Sequence, residues 1–267
     1  MSGDFNTMLP MRNLFFTFLL AFCAVLPVCV QAADAAKPLV AVLLCEEGDE
    51  VEHYDAYNNM PPFVEQLAGE NNWDTAIIKS KEYAAMPSLD VLEKADTFII
   101  YVRRIALPEK EMDKLQKYVN ESGKGLLCIR TACHGFSVNG KIPAGCKDWK
   151  EFDKLILGGN YHGHGRNEIG GEVWNVNEQA KSAILKDVKP SVWHSAASVY
   201  FNTPLKEDCT VYQYTGSTEQ GKMPLTWTRI HNKTRIAYTA LGYKTEFNHP
   251  AFKTLVRNLI LWTLEKK

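Results

Sequence analysis

Apolar runs of β-forming residues alternate along this chain with stretches whose apolar residues recur every three or four positions. Residues 39–45 read as a strand and 61–68 as a helix; 75–78 and 97–102 follow as strands, 109–119 as a helix, and 125–129 as a strand. That order predicts βαβ units on a parallel sheet. Residues 40–44 and 98–102 are apolar without alternation, the pattern of strands covered on both faces. Glu109, Met112, Leu115, Tyr118 and Val119 carry one stripe behind Pro108, which suits the start of a helix.

Beyond residue 130 the pattern loosens. A helix is expected over 149–157, strands near 171–176, 197–201, 210–214, 225–230 and 235–239, and a closing amphipathic helix over 250–264. No stretch repeats with the period of a solenoid or propeller. The expectation is a single-domain α/β fold built on a doubly wound, mostly parallel sheet, with an irregular insertion after the fourth strand. Ligands of such sheets bind beyond the carboxyl ends of the strands, where the strand order reverses. Three loops are thereby nominated: 46–57, 103–107 and 130–136.

The first residues change the picture. One cation, Arg12, precedes an apolar run over 14–30 that ends at Val30-Gln31-Ala32. This reads as a secretory signal peptide over 1–32, with the domain over 37–267. A membrane span needs about 20 apolar residues, and this run is shorter and interrupted by Thr17 and Pro27. The mature chain is therefore expected to be periplasmic or extracellular, with no membrane association after cleavage.

Charge excludes some partners. With 30 Lys and Arg against 31 Asp and Glu, and no long basic run, nothing suggests nucleic acid. A small molecule is the expected partner, and a homodimer the candidate assembly. Cys45, Cys128, Cys133, Cys146 and Cys209 follow the signal; their odd number leaves at least one outside any internal disulfide.

The densest candidate chemistry is Gly158-Gly159-Asn160-Tyr161-His162-Gly163-His164-Gly165. Its glycines let backbone turn tightly and approach a ligand. His162 and His164 can face one point, as metal ligands or as acid and base, and zinc is the candidate ion. A third ligand would come from His134, His194 or His53, or from Glu46 or Glu47. The second constellation, residues 125–136, sends Arg130 and Thr131 off a buried strand tip, Arg130 with a planar fork for oxygens. Cys133 beside His134 invites a thiolate nucleophile. Against it, neighbours in a turn seldom point the same way and no acidic residue orients the histidine; a packed thiol, or a disulfide to Cys146, is the competing reading. Arg103-Arg104 ends the third strand, facing the cleft or pairing with Glu46 or Glu47. Trp193, next to His194, is mostly core by its type, yet it can stack on a sugar.

At these residues the chain resembles the trehalose-utilisation (ThuA-like) family. The resemblance runs through Glu46-Glu47 with Tyr54, Tyr101-Val102-Arg103-Arg104, residues 125–136, Phe152-Asp153-x-x-Ile156-Leu157-Gly158-Gly159-Asn160-Tyr161-His162-Gly163-His164, Trp227-Thr228-Arg229 and residues 238–243. It implies a flavodoxin-like sheet similar to class I glutamine amidotransferases, a role in sugar catabolism, and no working amidotransferase triad. Some relatives look like metal binders. Many carry histidine where this chain has Arg130, and serine is more usual at Cys133, so a carried-over metal site loses a ligand here.

The reading is an exported enzyme of carbohydrate catabolism acting on a small glycoside or oxidised sugar. His134, His162, His164 and Arg130 form its expected catalytic group. Glu46, Arg103, Thr131, Asn160, Tyr161, Trp193 and His194 are the expected substrate contacts. The alternative is a non-catalytic sugar-binding protein that stacks sugars on Trp193 and Tyr161.

Overall fold

Burial on both faces explains the first strands. In the computed structural model, which describes residues 36–167, 169–217 and 221–265, β1 (Leu39–Cys45) and β3 (Thr97–Tyr101) are almost wholly enclosed. The expected signal segment lies outside the described residues. Between these strands come α1 (Ala56–Asn71) and β2 (Asp74–Ser80). Helix α1 contains Pro61 and Pro62, which forgo two intrahelical hydrogen bonds, yet it continues because Met60, Phe63, Val64 and Leu67 are buried. It ends at Asn72, held in the left-handed conformation that asparagine tolerates best after glycine.

After β3 come β4 (Leu107–Pro108), α2 (Glu109–Glu121) and β5 (Gly125–Ile129). Then follow β6 (Cys146–Lys147), β7 (Gly171–Asn175), β8 (Val192–Ser195), β9 (Thr210–Ser217), β10 (Gly221–His231), β11 (Thr234–Thr239) and α3 (Pro250–Leu264). Strands β4 and β6 form a small antiparallel pair of their own.

The main sheet runs β2-β1-β3-β5-β11-β10-β9-β7-β8. Its first five strands are parallel. Renumbered among themselves they stand in the order 2-1-3-4-5, the flavodoxin-like arrangement, whose switch point lies between β1 and β3. From β11 outward every pairing is antiparallel. The insertion after the fourth parallel strand, expected to be irregular, thus carries four strands that lengthen the same sheet. Short connections such as Asn232-Lys233 between β10 and β11 permit only antiparallel neighbours.

Two faces are covered. Phe98 meets Tyr118 of α2 at 5.8 Å between ring centroids, while adjacent Thr97 donates to Thr263 Oγ1 of α3 at 2.8 Å. Successive strand residues point to opposite faces, so α2 and α3 sandwich the parallel half. Phe63 of α1 stacks on Phe252 of α3 at 5.5 Å, which sets α1 beside α3. Residues 37–267 form one compact unit, and no helix among the described residues is long and apolar enough to cross a membrane.

Two expected elements differ. Residues 149–157 yield only a wide π-type turn, Asp153–Leu157, closed by Gly158 at φ +76°. Residues 197–201 form no strand; Tyr200 makes an isolated bridge to His164 instead. Cys45, Cys128, Cys133, Cys146 and Cys209 are free, so no Cys133–Cys146 disulfide exists.

Candidate functional site

The loops leaving the carboxyl ends of β1, β3 and β5 converge as their positions required. Glu50 to Tyr54 come from the first, Arg103 and Arg104 from the second, and His134 from the third; with Tyr161, His164, Asn167 and Tyr200 they line a hollow of about 520 Å³. It sits over the switch point between β1 and β3. A second hollow, of about 760 Å³, is lined by Cys133, Asp153, Asn160 and His162 among others. Arg104, His134, Tyr161 and His164 line both hollows and so divide them.

The dividing wall is built from rings. His134 lies under Tyr161 with centroids 4.5 Å apart and planes 23° apart, and Tyr200 flanks it at 5.8 Å. His134 is only 6% exposed. Burial first, then the Arg104 and Arg103 charges, holds its pKa well below the ordinary histidine value. It is therefore a neutral imidazole around pH 7.

The histidine loop is fixed by its backbone. Asn160 and His162 donate their N–H groups to Asn202 and Phe201 carbonyls, and Gly165 to Val199. Gly163 adopts φ +147°, which side chains rarely allow. His162 Nδ1 lies 2.8 Å from the Asn160 carbonyl and His164 Nδ1 2.7 Å from the Gly165 carbonyl. A carbonyl only accepts, so each Nδ1 carries a proton and donates it.

Arg130 departs from its expected role. It has φ +45° at the corner after β5 and is 1% exposed. Its guanidinium donates to the Ala240 carbonyl at 2.5 Å and to the Ser198 carbonyl at 3.1 Å, and it lies 4.1 Å from the Tyr200 ring centroid. The left-handed turn folds it back under the hollows, so it braces Tyr200 from below and lines neither.

Other expected contacts also point elsewhere. Thr131 is buried and donates to the Val102 carbonyl at 2.9 Å. Trp193 stacks on His249 at 4.0 Å, and exposed His194 faces Glu172 at 3.2 Å, both on β8 at the far sheet edge. Glu46 is exposed, 4.0 Å from Lys81, and lines neither hollow. Arg103 does line the first hollow, its charge matched by Glu50 at 2.6 Å.

The metal expectation finds no frame. Among the described residues no three His, Cys, Asp or Glu side chains gather as ligands, so these residues supply no third donor for a zinc ion at His162 and His164. Cys133 lies 3.2 Å from His134 Nδ1. Burial nonetheless drives its thiol pKa well above the ordinary value, which makes it a packing thiol rather than a nucleophile.

Several lining groups escaped the sequence reading as site residues. Tyr200 lay in text that read as a strand, and Asn167 gave no signal. Asp153 stood in the family motif, and its placement shortly before the glycine-rich histidine loop is the signal that could have found it.

Comparison with known proteins agrees with this architecture. A crystal structure of a ThuA-like protein from Bacteroides uniformis superposes with a TM-score of 0.62 at 17% identity, covering 87% of this chain and 94% of that one. One from Parabacteroides merdae gives 0.57 at 15% identity, covering 85% and 90%. A cytoplasmic protein from Salmonella typhimurium gives 0.54 at 14% identity, covering 85% and 100%. Likenesses this distant speak for the fold alone. No protein of curated function matches the chain. The family model described as trehalose utilisation, ThuA, matches residues 41–263. Nearly the whole described chain falls within that match, and the protein belongs to the ThuA family.

Proposed function

We propose that this protein is an exported enzyme of carbohydrate catabolism that acts on a small glycoside or oxidised sugar held in the paired hollows. The family's link to trehalose utilisation supports a sugar ligand, and the segment 1–32, read from sequence, supports export. One observation carries the catalytic part: His134 from the β5 corner and His164 from the glycine-rich loop, far apart in sequence, line the same hollow.

The chemistry follows from the residues. Neutral His134 takes a proton from a hydroxyl or a water set against the sugar. Tyr54, Tyr161 and Tyr200 offer ring faces and hydroxyls suited to a sugar's alternating apolar and polar surfaces. Arg104 and Arg103 hold oxygens in the place first assigned to Arg130.

The alternative, a sugar-binding protein without catalysis, draws on the same phenol-lined hollow. Tyr161 and Tyr200 then serve as its platforms, because the Trp193 ring is already covered by His249. Calorimetry with candidate sugars, paired with mass spectrometry of the products, separates the two readings. Binding with conversion supports the enzyme, and binding without any product contradicts it.

A further inference from the structure

Among the described residues, Arg104 is the one arginine or lysine that lines both hollows. Two backbone bonds set it there: the Arg104 N–H donates to the His134 carbonyl at 3.3 Å, and the Ile105 N–H to the Gly135 carbonyl at 2.7 Å. The corner after β3 is thereby pinned to the corner after β5, with Arg104 at φ +52°. Its side chain is tethered through one nitrogen only. Nη1 donates to the Asn139 side-chain oxygen at 3.0 Å and to the Ser137 carbonyl at 3.4 Å. Nε and Nη2 make no hydrogen bond among the described residues, and neither is sealed from solvent. Those two nitrogens form the side-on edge of the guanidinium, a pair of parallel donors at the spacing of a carboxylate's oxygens.

Charge sets Arg104 apart from its neighbours. Arg103 is matched by Glu50 at 2.6 Å, and Arg130 is spent on buried carbonyls. Arg104 makes no ion pair among the described residues. The other carboxylates of the hollows do not answer it: Glu52 and Glu151 are exposed, where solvent screens them, and Asp153 turns Oδ2 to the Tyr161 N–H at 2.7 Å. One unmatched positive charge with a free bidentate edge suits a single carboxylate.

We infer that the ligand of the paired hollows is an acidic sugar, a hexuronate or its glycoside, whose carboxylate docks on the Nε–Nη2 edge of Arg104. This rests on the carbohydrate reading above and narrows it to sugars that carry one negative charge beside the ring. A uronate's carboxylate stands one bond from the ring, so a grip at Arg104 brings the ring toward Tyr161 and His134, which share the same wall. A neutral hexose lacks that anchor, because its hydroxymethyl group offers one oxygen and no charge.

Calorimetry with matched probes tests this, glucuronate against glucose and galacturonate against galactose, with propionate as a carboxylate that has no ring. In at least one pair the acid is expected to bind about 10-fold or more tightly than its neutral sugar and than propionate. Arg104→Gln is expected to remove that margin while leaving the neutral sugar's affinity within about 3-fold. Arg104→Lys is expected to restore only part of it, since a point charge lacks the paired donors. Acid and neutral sugar bound alike in both pairs, or a margin that survives Arg104→Gln, overturns the assignment and leaves the carbohydrate reading intact. Propionate bound as tightly as the uronates, or no binding of any of the four sugars, overturns both. Should Arg104→Gln not fold, salt decides on the wild type. Uronate affinity is expected to fall severalfold between about 0.05 and 0.5 M NaCl while neutral-sugar affinity holds, and an unchanged uronate affinity contradicts the assignment.

Discussion

Arg130 shows how one backbone angle redirects a side chain. At φ +45° the chain leaves β5 so that the guanidinium turns inward, to the Ala240 and Ser198 carbonyls and the Tyr200 ring. Removing it orphans two buried carbonyls, each worth about 1–3 kcal/mol when left unpaired. Arg130→Met is expected to destabilise the fold by about 3 kcal/mol in urea titrations, and an unchanged midpoint would contradict this account. Asp153 makes a second prediction at this scale. Its folded pKa of about 6 lies above the ordinary 3.8. Below that ordinary value the group is protonated in folded and unfolded chains alike. As pH rises toward 6 the unfolded chain releases its proton first, so the folded state loses stability. Asp49, also raised to about 6 by burial, acts in the same direction. Asp153→Asn is therefore expected to match wild type near pH 4 and to exceed it by about 2 kcal/mol at pH 7. Thermal melts at the two pH values read this directly, and a variant less stable at pH 7 than at pH 4, relative to wild type, would sink it.

Among the elements, the antiparallel extension supports the histidine loop. Arg229 of β10 donates to the Leu155 and Ile156 carbonyls at 2.8 and 3.0 Å and pairs with Asp208 at 2.8 Å. Trp227 donates to the Leu157 carbonyl at 2.8 Å. These bonds occupy the carbonyls of the Asp153–Leu157 turn, which its own short length leaves open. Arg229→Ala is expected to speed hydrogen exchange at the Tyr161 and His162 amides while leaving the β1 and β3 amides protected. Uniform protection across the loop would contradict this. Gly158→Ala tests the same joint, because its Cβ would stand 2.7 Å from Cys209 Sγ at a backbone angle that disfavours side chains; a loss of more than about 1 kcal/mol is expected.

For the whole molecule, the parallel half was legible because burial on two faces imprints an unbroken apolar run. The three nominated loops do border the hollows for the same reason: strand tips at a switch point leave room for ligand. The rest depended on packing that no local pattern encodes. Trp193 looked like a sugar platform, and His249, much later in the chain, covers it. Tyr200 looked like a strand residue, and a single bridge to His164 brings it to the hollow instead. The burial that keeps Cys133 neutral also predicts that alkylation of the folded protein leaves turnover unchanged; inactivation in step with Cys133 labelling would revive the thiol as a participant.

The central claim is that imidazoles from separate segments act on one sugar in the paired hollows. The most direct measurement is product formation from candidate glycosides by wild type and by the His162→Ala, His164→Ala double variant at equal folded concentration. The account predicts that the double variant melts as wild type does and loses about 100-fold or more in turnover. Full turnover in the folded double variant would contradict it.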